Sequence, residues 1–276
     1  MPELPEVETV RRTLATLVVG KTIADVSAPY PKIIKNLSFS HFRGTLINET
    51  ITDIKRKGKF LIVVFTKCVL VSHLRMEGKY FYKTTPAIEK HEHVIFWFTD
   101  GSSLHYHDTR KFGTMYLFPT RDMTLITQLE PLSQVGLEPM DANMNVAYLK
   151  ARFQKSTKAI KTTLLDQKIM AGLGNIYVDE VLFLSKIHPE TPTKTLSDEQ
   201  IALIITNAQT VLTKAIALGG TTIRSFTSAH DVSGRFQNEL LVHTKTECPV
   251  CQAKIKKIKV GGRGTYVCEN CQKPLT

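Results

Sequence analysis

Four cysteines near the C-terminus constrain the fold of this chain more than any other feature. They follow the pattern Cys-x2-Cys-x16-Cys-x2-Cys and are Cys248, Cys251, Cys268 and Cys271. Two Cys-x-x-Cys knuckles at this separation match a closed tetrahedral zinc site, in which the metal is structural. Disulfides are the competing interpretation, and paired knuckles in a cytoplasmic protein argue against them. We therefore expect one structural Zn²⁺ and no organic cofactor.

The segment between the knuckles, KIKKIKVGGRGTYV, predicts a β-hairpin with a glycine-rich tip. Arg263 lies between Gly262 and Gly264, so its guanidinium can approach a phosphate closely and bind it bidentately. A solvated arginine is the ordinary outcome for such a position. The fifth cysteine, Cys68, lies in an apolar stretch and is expected to be inert core.

The charge of the chain favours a polyanionic partner. Its 276 residues include 36 Lys and Arg against 25 Asp and Glu, a net charge of +11. Residues 245–276 alone contain seven basic and two acidic side chains. No apolar run approaches the ~18 residues of a membrane span, and the acidic N-terminus lacks the basic region of a signal peptide. We expect a soluble, cytoplasmic protein.

The pattern of apolar residues changes along the chain. Spacing predicts a helix from about Pro5 to Val19, and short strands with turn signals follow as far as Pro119, which favours an antiparallel sandwich-like domain. Helical patterns appear after Gly136, so a boundary is expected near residues 130–140. These patterns cover about 144–155, 158–166, 175–186 and 197–218. The polar segment 219–238 is long enough to indicate either a binding loop or a disordered linker.

The first ten residues, MPELPEVETV, carry the strongest indication of chemistry. If Met1 is removed, Pro2 has a free secondary amine with a reference pKa of roughly 8. Attack of such an amine on a sugar carbon gives an iminium ion, which serves as an electron sink for later bond cleavages. Glu3 and Glu6 lie near the positive end of the predicted helix, where carboxylates are stabilised. They also suit ordinary helix-start positions, which is our interpretation of Glu8.

The start PELPEVETV resembles that of bacterial formamidopyrimidine-DNA glycosylases, and the similarity extends over essentially the whole chain. The resemblance implies a base-excision repair enzyme, both DNA glycosylase and AP lyase, that removes 8-oxoguanine and formamidopyrimidines from double-stranded DNA and then cleaves the strand by β,δ-elimination. It implies that Pro2 is the Schiff-base nucleophile. Glu3 would be its acid-base partner in opening the deoxyribose ring, with Glu6 in a secondary catalytic role.

The resemblance also implies an α+β fold in four parts. These are a catalytic antiparallel β-sandwich with flanking helices (1–133), a helix-two-turn-helix domain (134–218), a lesion-capping loop (219–240) and a four-cysteine zinc finger with its β-hairpin (241–276). We expect a monomer that is associated with the bacterial nucleoid through DNA.

Further residues receive roles through the same resemblance. Lys59, in the basic run KRKGKF, would contact phosphate and assist proton transfer, and Arg263 would contribute to the final elimination. A base must be rotated out of the duplex before its sugar is attacked, and the vacated space must be filled. Met76, Arg110 and Phe112 match the void-filling trio, with Arg110 facing the orphan cytosine. On their own, Met76 and Phe112 would be interpreted as core.

The remaining roles concern DNA and lesion contacts. Asn175 opens a predicted helix after Gly172 and Gly174, where free N–H groups suit a phosphate. The DNA contacts implied by the resemblance are His73, His91, Arg110, Lys161 and Asn175. The lesion-recognition residues implied by it are Glu77, Thr221 and Thr222.

Two other functions remain open at this point. An endonuclease VIII-like glycosylase uses the same proline chemistry on oxidised pyrimidines, although the start PELPEVE and the Met76, Arg110, Phe112 set favour the purine enzyme. A non-catalytic zinc-finger DNA-binding protein would also explain the basic charge and the four cysteines. Such a binder has no use for an exposed Pro2 amine, and this distinguishes the two classes.

Overall fold

The computed structural model describes residues 2–85, 87–154, 156–221 and 234–274. The chain divides into two compact units, one that extends to Ser133 and one formed by Gln134–Thr221 together with the chain from Arg235 onwards. None of the helices in these described ranges combines the length and apolar character needed to cross a membrane.

The first unit is an antiparallel β-sandwich with flanking helices. Its elements are α1 (Leu4–Val18), β1 (Ile23–Ser27), α2 (Phe39–Leu46), β2 (Ile51–Lys57), β3 (Phe60–Phe65), β4 (Val69–His73), β5 (Lys79–Lys83), β6 (Glu92–Phe98), β7 (Ser103–His107), β8 (Thr114–Phe118) and α3 (Met123–Gln128). One four-stranded sheet has the order β1-β6-β7-β5 and the other the order β2-β3-β4-β8. Every strand pairing within them is antiparallel.

The apolar side chains of α1 join the core of this unit. Val7, Val10, Leu14 and Val18 recur at helical spacing and are buried, so one stripe of the helix faces inward. The helix ends before Gly20, whose φ of +88° is the left-handed conformation that favours glycine after a helix. The predicted N-terminal helix is confirmed to within one residue at each end.

Among the described residues, the second unit contains four α-helices and the C-terminal hairpin. Its elements are α4 (Val146–Phe153), α5 (Ile160–Leu164), α6 (Asn175–Leu184), α7 (Asp198–Ala217), β9 (Lys256–Val260) and β10 (Arg263–Val267). Gly261 and Gly262 form the two-residue hairpin turn with φ of +55° and +80°, and this geometry matches the twist of the two strands. The predicted hairpin and all four predicted helices of this half of the chain are confirmed.

Candidate active site and metal centre

The residue after Pro2 is held by the first turn of α1. Pro2 is half-buried and Glu3, the N-cap of the helix, is only 3% exposed. The Glu6 carboxylate accepts a hydrogen bond from the Glu3 backbone N–H at 2.9 Å, so it satisfies a donor that a helix start otherwise leaves unpaired. The position of the chain immediately after Pro2 is therefore fixed by the helix.

Arg56 connects this helix to the turn that carries Lys59. Its side chain, only 11% exposed, donates to the Glu8 carboxylate at 3.1 Å and to the Gly58 carbonyl at 3.0 Å. Burial raises the pKa of Glu8, but hydrogen bonds from neighbouring arginines outweigh it and leave that pKa below its usual value. Lys59, the next residue after Gly58, is itself buried. Arg56 is thus a structural link between α1 and this turn and does not belong to an exposed basic surface.

His73, at the end of β4, is a neutral hydrogen-bond donor. Its Nδ1 accepts from the Arg75 backbone N–H at 2.9 Å, and its ring meets Phe60 edge-on with centroids 4.5 Å apart. Burial, with the positive charges of Arg75 and Lys59, lowers its pKa to about 3. Because Nδ1 is an acceptor, the ring proton lies on Nε2 at neutral pH.

The candidate void-filling residues lie on two loops of the first unit. Met76 is partly buried in the turn 75–77, whereas Phe112 is 52% exposed on the loop 109–113. The guanidinium of Arg110 lies 4.8 Å from the centroid of the Phe112 ring, a cation–π contact. Glu77 accepts a hydrogen bond from the Thr109 hydroxyl at 2.7 Å, which joins the two loops.

Asp108 organises the second of these loops, and the sequence interpretation did not identify it. It is fully buried, and its carboxylate accepts backbone hydrogen bonds from Arg110 at 3.0 Å and from Phe112 and Gly113 at 2.9 Å each. The available signal was an aspartate directly after a strand and before a glycine-ended loop, a position where carboxylates commonly bind nearby backbone N–H groups.

His91 has a backbone φ of +70°, and its ring lies 5.8 Å from that of His107 and 6.5 Å from that of His93. His93 is buried and its Nε2 is hydrogen-bonded to the Asp108 carbonyl at 2.8 Å. His93 therefore has a structural role in holding Asp108.

In the second unit, Lys161 and Asn175 meet at the backbone next to Arg263. The Lys161 ammonium, fully buried, lies 2.6 Å from Asp179 Oδ1 and donates to the Gly264 carbonyl at 3.2 Å. Asn175 Nδ2 donates to the same carbonyl at 2.9 Å. Arg263 itself is exposed. These partners of Lys161 belong to the protein, and its predicted contact with the DNA backbone stays a prediction.

Two adjacent carboxylates of α6 hold the segment 241–243 and the hairpin of the zinc finger, and the sequence interpretation missed both. Asp179 Oδ2 lies 2.7 Å from His243 Nδ1 and accepts from the Tyr266 backbone N–H at 3.2 Å. Glu180 accepts from three successive backbone N–H groups, those of residues 241–243, at 2.7 to 3.1 Å. Burial raises the Glu180 pKa. The sequence carried no signal for them, since an acidic pair on a helix is usually solvated.

The four cysteines form the predicted metal centre. Their Sγ atoms all lie within 4.8 Å of one another, with 3.8 Å between Cys248 and Cys271 and 3.4 Å between Cys251 and Cys268. A tetrahedral zinc with Zn–S bonds of about 2.3 Å places its sulfur ligands about 3.8 Å apart. The four side chains therefore fit one zinc ion and leave no ligand position open.

The predicted lesion-recognition residues of the capping loop fall at the end of a described range. Thr221 is the last residue of that range, and Thr222 lies outside the described residues. The described residues before and after the capping loop are hydrogen-bonded to each other. The N–H of Phe236 donates to the Gly220 carbonyl at 3.0 Å, and the N–H of Arg235 donates to the Leu218 carbonyl at 2.9 Å.

Comparison with known families covers most of the chain. The family model for the formamidopyrimidine-DNA glycosylase N-terminal domain matches residues 1–115, and that for the formamidopyrimidine-DNA glycosylase H2TH domain matches residues 135–227. A third model, the zinc finger found in FPG and IleRS, matches residues 247–274.

Individual relatives agree with these matches. Formamidopyrimidine-DNA glycosylases of Bacillus cereus strain ATCC 10987 and of an Exiguobacterium species are 50% and 49% identical over 276 residues, with 99% of each chain covered. Solved structures of the Lactococcus lactis enzyme superpose with a TM-score of 0.90 at 45% identity over 99% of this chain and 100% of theirs. One is a complex with DNA containing N7-benzyl-Fapy-dG and another a complex with DNA containing an abasic site. The chain therefore belongs to the formamidopyrimidine-DNA glycosylase family, and it is a base-excision repair glycosylase with AP lyase activity and one zinc site.

Proposed function

We propose that this enzyme excises oxidised purines, 8-oxoguanine and formamidopyrimidines, from double-stranded DNA through a Schiff base on Pro2. The observation that carries the proposal is the N-terminal geometry, in which Pro2 directly precedes a helix and its neighbour Glu3 is a buried carboxylate. A variant of the similar Lactococcus lactis enzyme forms a complex with DNA that contains Fapy-dG, a ring-opened purine, and this favours purines over pyrimidines.

In the proposed reaction the unprotonated Pro2 amine attacks C1′ and the damaged base leaves. Glu3 supports opening of the deoxyribose ring by proton transfer, with Glu6 in a secondary role. The resulting iminium acidifies the C2′ proton, so that β-elimination and then δ-elimination release the phosphates on either side of the lesion. Lys59 assists proton transfer in these steps, and Arg263 binds phosphate during the last.

The proposed DNA contacts divide into positioning and insertion. His73, His91 and Asn175 contact phosphates, and the neutral Nε2–H of His73 is suited to donate to one. Lys161 contributes from beneath the hairpin through Gly264. Met76, Arg110 and Phe112 fill the space left by the flipped base, and Arg110 pairs with the orphan cytosine.

Lesion recognition is proposed for Glu77, Thr221 and Thr222.

We also propose the four-part domain division, a monomeric state and a location in the cytoplasm at the nucleoid. The four thiolates would hold zinc as a structural ion, and no catalytic step requires it.

Borohydride trapping tests the proposal. Two duplexes are compared, one with 8-oxoguanine opposite cytosine and one with an oxidised thymine, using protein shown by mass spectrometry to have lost Met1. We expect a strong covalent adduct with the first duplex that maps to Pro2. A preference for the thymine lesion would indicate the endonuclease VIII-like specificity instead, and an adduct on another residue would refute the Pro2 assignment.

A further inference from the structure

The two loops that carry the void-filling residues meet at the hydroxyl of one buried tyrosine, Tyr106 of β7. A Cβ added to Gly78, which ends the Met76 turn, would lie 2.3 Å from the Tyr106 Oη. A Cβ added to Gly113, which ends the Phe112 loop, would lie 1.7 Å from the same atom. Neither glycine has a positive φ. At Gly113 the Tyr106 side chain alone occupies the space a Cβ would need, and at Gly78 the hydroxyl does so together with the Leu74 backbone carbonyl, which would lie 2.5 Å from that Cβ.

The same hydroxyl connects to the carboxylate that shapes the second loop. Tyr106 Oη donates to Asp108 Oδ2 at 3.4 Å, and this oxygen also accepts from the backbone N–H groups of Phe112 and Gly113. Two hydrogen bonds hold the backbone of Asp108. Its N–H donates to the His91 carbonyl at 3.0 Å, and its carbonyl is hydrogen-bonded to His93 Nε2 at 2.8 Å. A buried carboxylate with this many partners holds one geometry.

The two loops are more than thirty residues apart in sequence, yet they share two connections. One is buried, the contact of Tyr106 with Gly78 and Gly113. The other is exposed, the hydrogen bond from Thr109 to Glu77. Met76 on one loop and Arg110 and Phe112 on the other are thus held in a fixed relation before any DNA is bound.

We propose that Asp108 and Tyr106 are positioning residues for base extrusion, which hold Met76, Arg110 and Phe112 as one preformed unit that enters the duplex together. This inference rests on the proposed function, because it takes these three residues as void-filling. A preformed unit avoids the entropy cost of ordering two separate loops during insertion. Neither residue touches the DNA in this account, and their effect passes through the loop backbone.

The test compares two single-turnover rates for each variant, on duplexes that differ only at the lesion. The first is excision of 8-oxoguanine opposite cytosine, and the second is strand cleavage at a preformed abasic site, where no base has to be extruded. In Asp108→Asn an amide NH₂ replaces one acceptor oxygen. We expect its excision rate to fall about a hundredfold, as for other errors of positioning, and abasic-site cleavage to change much less. Tyr106→Phe removes only the hydroxyl, and it should likewise lower the ratio of the excision rate to the abasic-site cleavage rate.

A fluorescence readout separates positioning from general loss of structure. With 2-aminopurine next to the lesion, wild-type protein should unstack the probe and raise its fluorescence, and both variants should give a smaller rise at saturating protein. The matched control is Glu49→Gln, another buried carboxylate that accepts from a loop backbone N–H and a hydroxyl, those of Lys67 and Thr66. It should leave the ratio of the two rates unchanged.

The inference would be overturned if the ratio of the excision rate to the abasic-site cleavage rate kept its wild-type value in both Asp108→Asn and Tyr106→Phe. This includes the case in which both rates fall by the same factor. If Asp108→Asn does not fold, Tyr106→Phe decides the question alone. Failure of the proposed function appears differently, as wild-type protein that cleaves abasic sites but does not excise 8-oxoguanine.

Discussion

The Glu6 carboxylate accepts the Glu3 backbone N–H at 2.9 Å, so the residue that follows Pro2 is held by a side chain one helical turn further along. Glu6→Ala removes this acceptor and should lower the free energy of unfolding by about 0.5–2 kcal/mol, the usual range for a helix cap. It should also reduce the yield of borohydride-trapped adduct, because the chain at Pro2 becomes less ordered. Glu6→Gln keeps an acceptor oxygen and should retain most of the adduct, and equal losses in both variants would exclude the capping role.

Two glycines offer a matched test of close packing. Gly113→Ala places a Cβ 1.7 Å from the Tyr106 hydroxyl, whereas Gly44→Ala, within α2, meets nothing within 4 Å. The first should destabilise by about 1–3 kcal/mol through overpacking, and the second should stabilise by roughly 0.5–1 kcal/mol because alanine loses less conformational entropy in a helix. Chemical denaturation measures both. Stabilisation by Gly113→Ala would contradict the contact.

The stability of the protein should depend strongly on the buried ion pair of Lys161 and Asp179. Lys161→Met leaves the Asp179 carboxylate buried next to an apolar side chain, and we expect a loss of about 3–5 kcal/mol. The control Lys158→Met replaces an exposed lysine of the same segment and should change stability by less than about 0.5 kcal/mol. In the double variant with Asp179→Leu, the loss should be smaller than the sum of the two single losses, since no unpaired carboxylate remains, although the contacts of Asp179 with His243 and Tyr266 are lost as well. Additive losses would argue against direct pairing.

Acid should destabilise the protein in part through His73. Its folded-state pKa of about 3 lies below the roughly 6.5 of an unfolded histidine, so its neutral form stabilises the fold above pH ~6.5. That contribution is lost as the pH falls from 6.5 towards 3, at up to about 1.4 kcal/mol per pH unit. His73→Gln should therefore give a shallower decline in the free energy of unfolding between pH 6.5 and 4. His41→Gln, at an exposed position, is the control for the substitution itself and should change the free energy of unfolding at pH 7 by less than about 0.5 kcal/mol.

Zinc content should depend on four of the five cysteines. Wild-type protein should contain one zinc per chain by elemental analysis, and Cys268→Ser should fall well below that value with a lower Tm. Cys68→Ala is the control, because Cys68 is buried in the sandwich core and burial raises the pKa of its thiol to about 12. Loss of zinc from Cys68→Ala would contradict the assignment.

Local patterns determined a large part of this architecture. The N-terminal helix, the hairpin between the knuckles and the helices of the second unit follow from apolar spacing, caps and glycine turns, and the spacing of the cysteines specified their cluster. Helix α2 was missed, because eight residues with only two buried apolar positions carry little periodic signal. The proposed catalytic roles came from family resemblance, since no local sequence pattern distinguishes a catalytic carboxylate from one that only caps a helix.

The sequence by itself determined most of the segments that form helices and strands and the residues that can ligate a metal, because those properties depend on neighbours along the chain. Only the tertiary structure decided which polar groups are buried and what they bind. Asp108, Tyr106 and Asp179 act on residues distant in sequence or on backbone N–H groups, and neither kind of partner is specified by side-chain pattern. A buried polar group must be paired once folding removes its water, so the partner is chosen by packing in three dimensions.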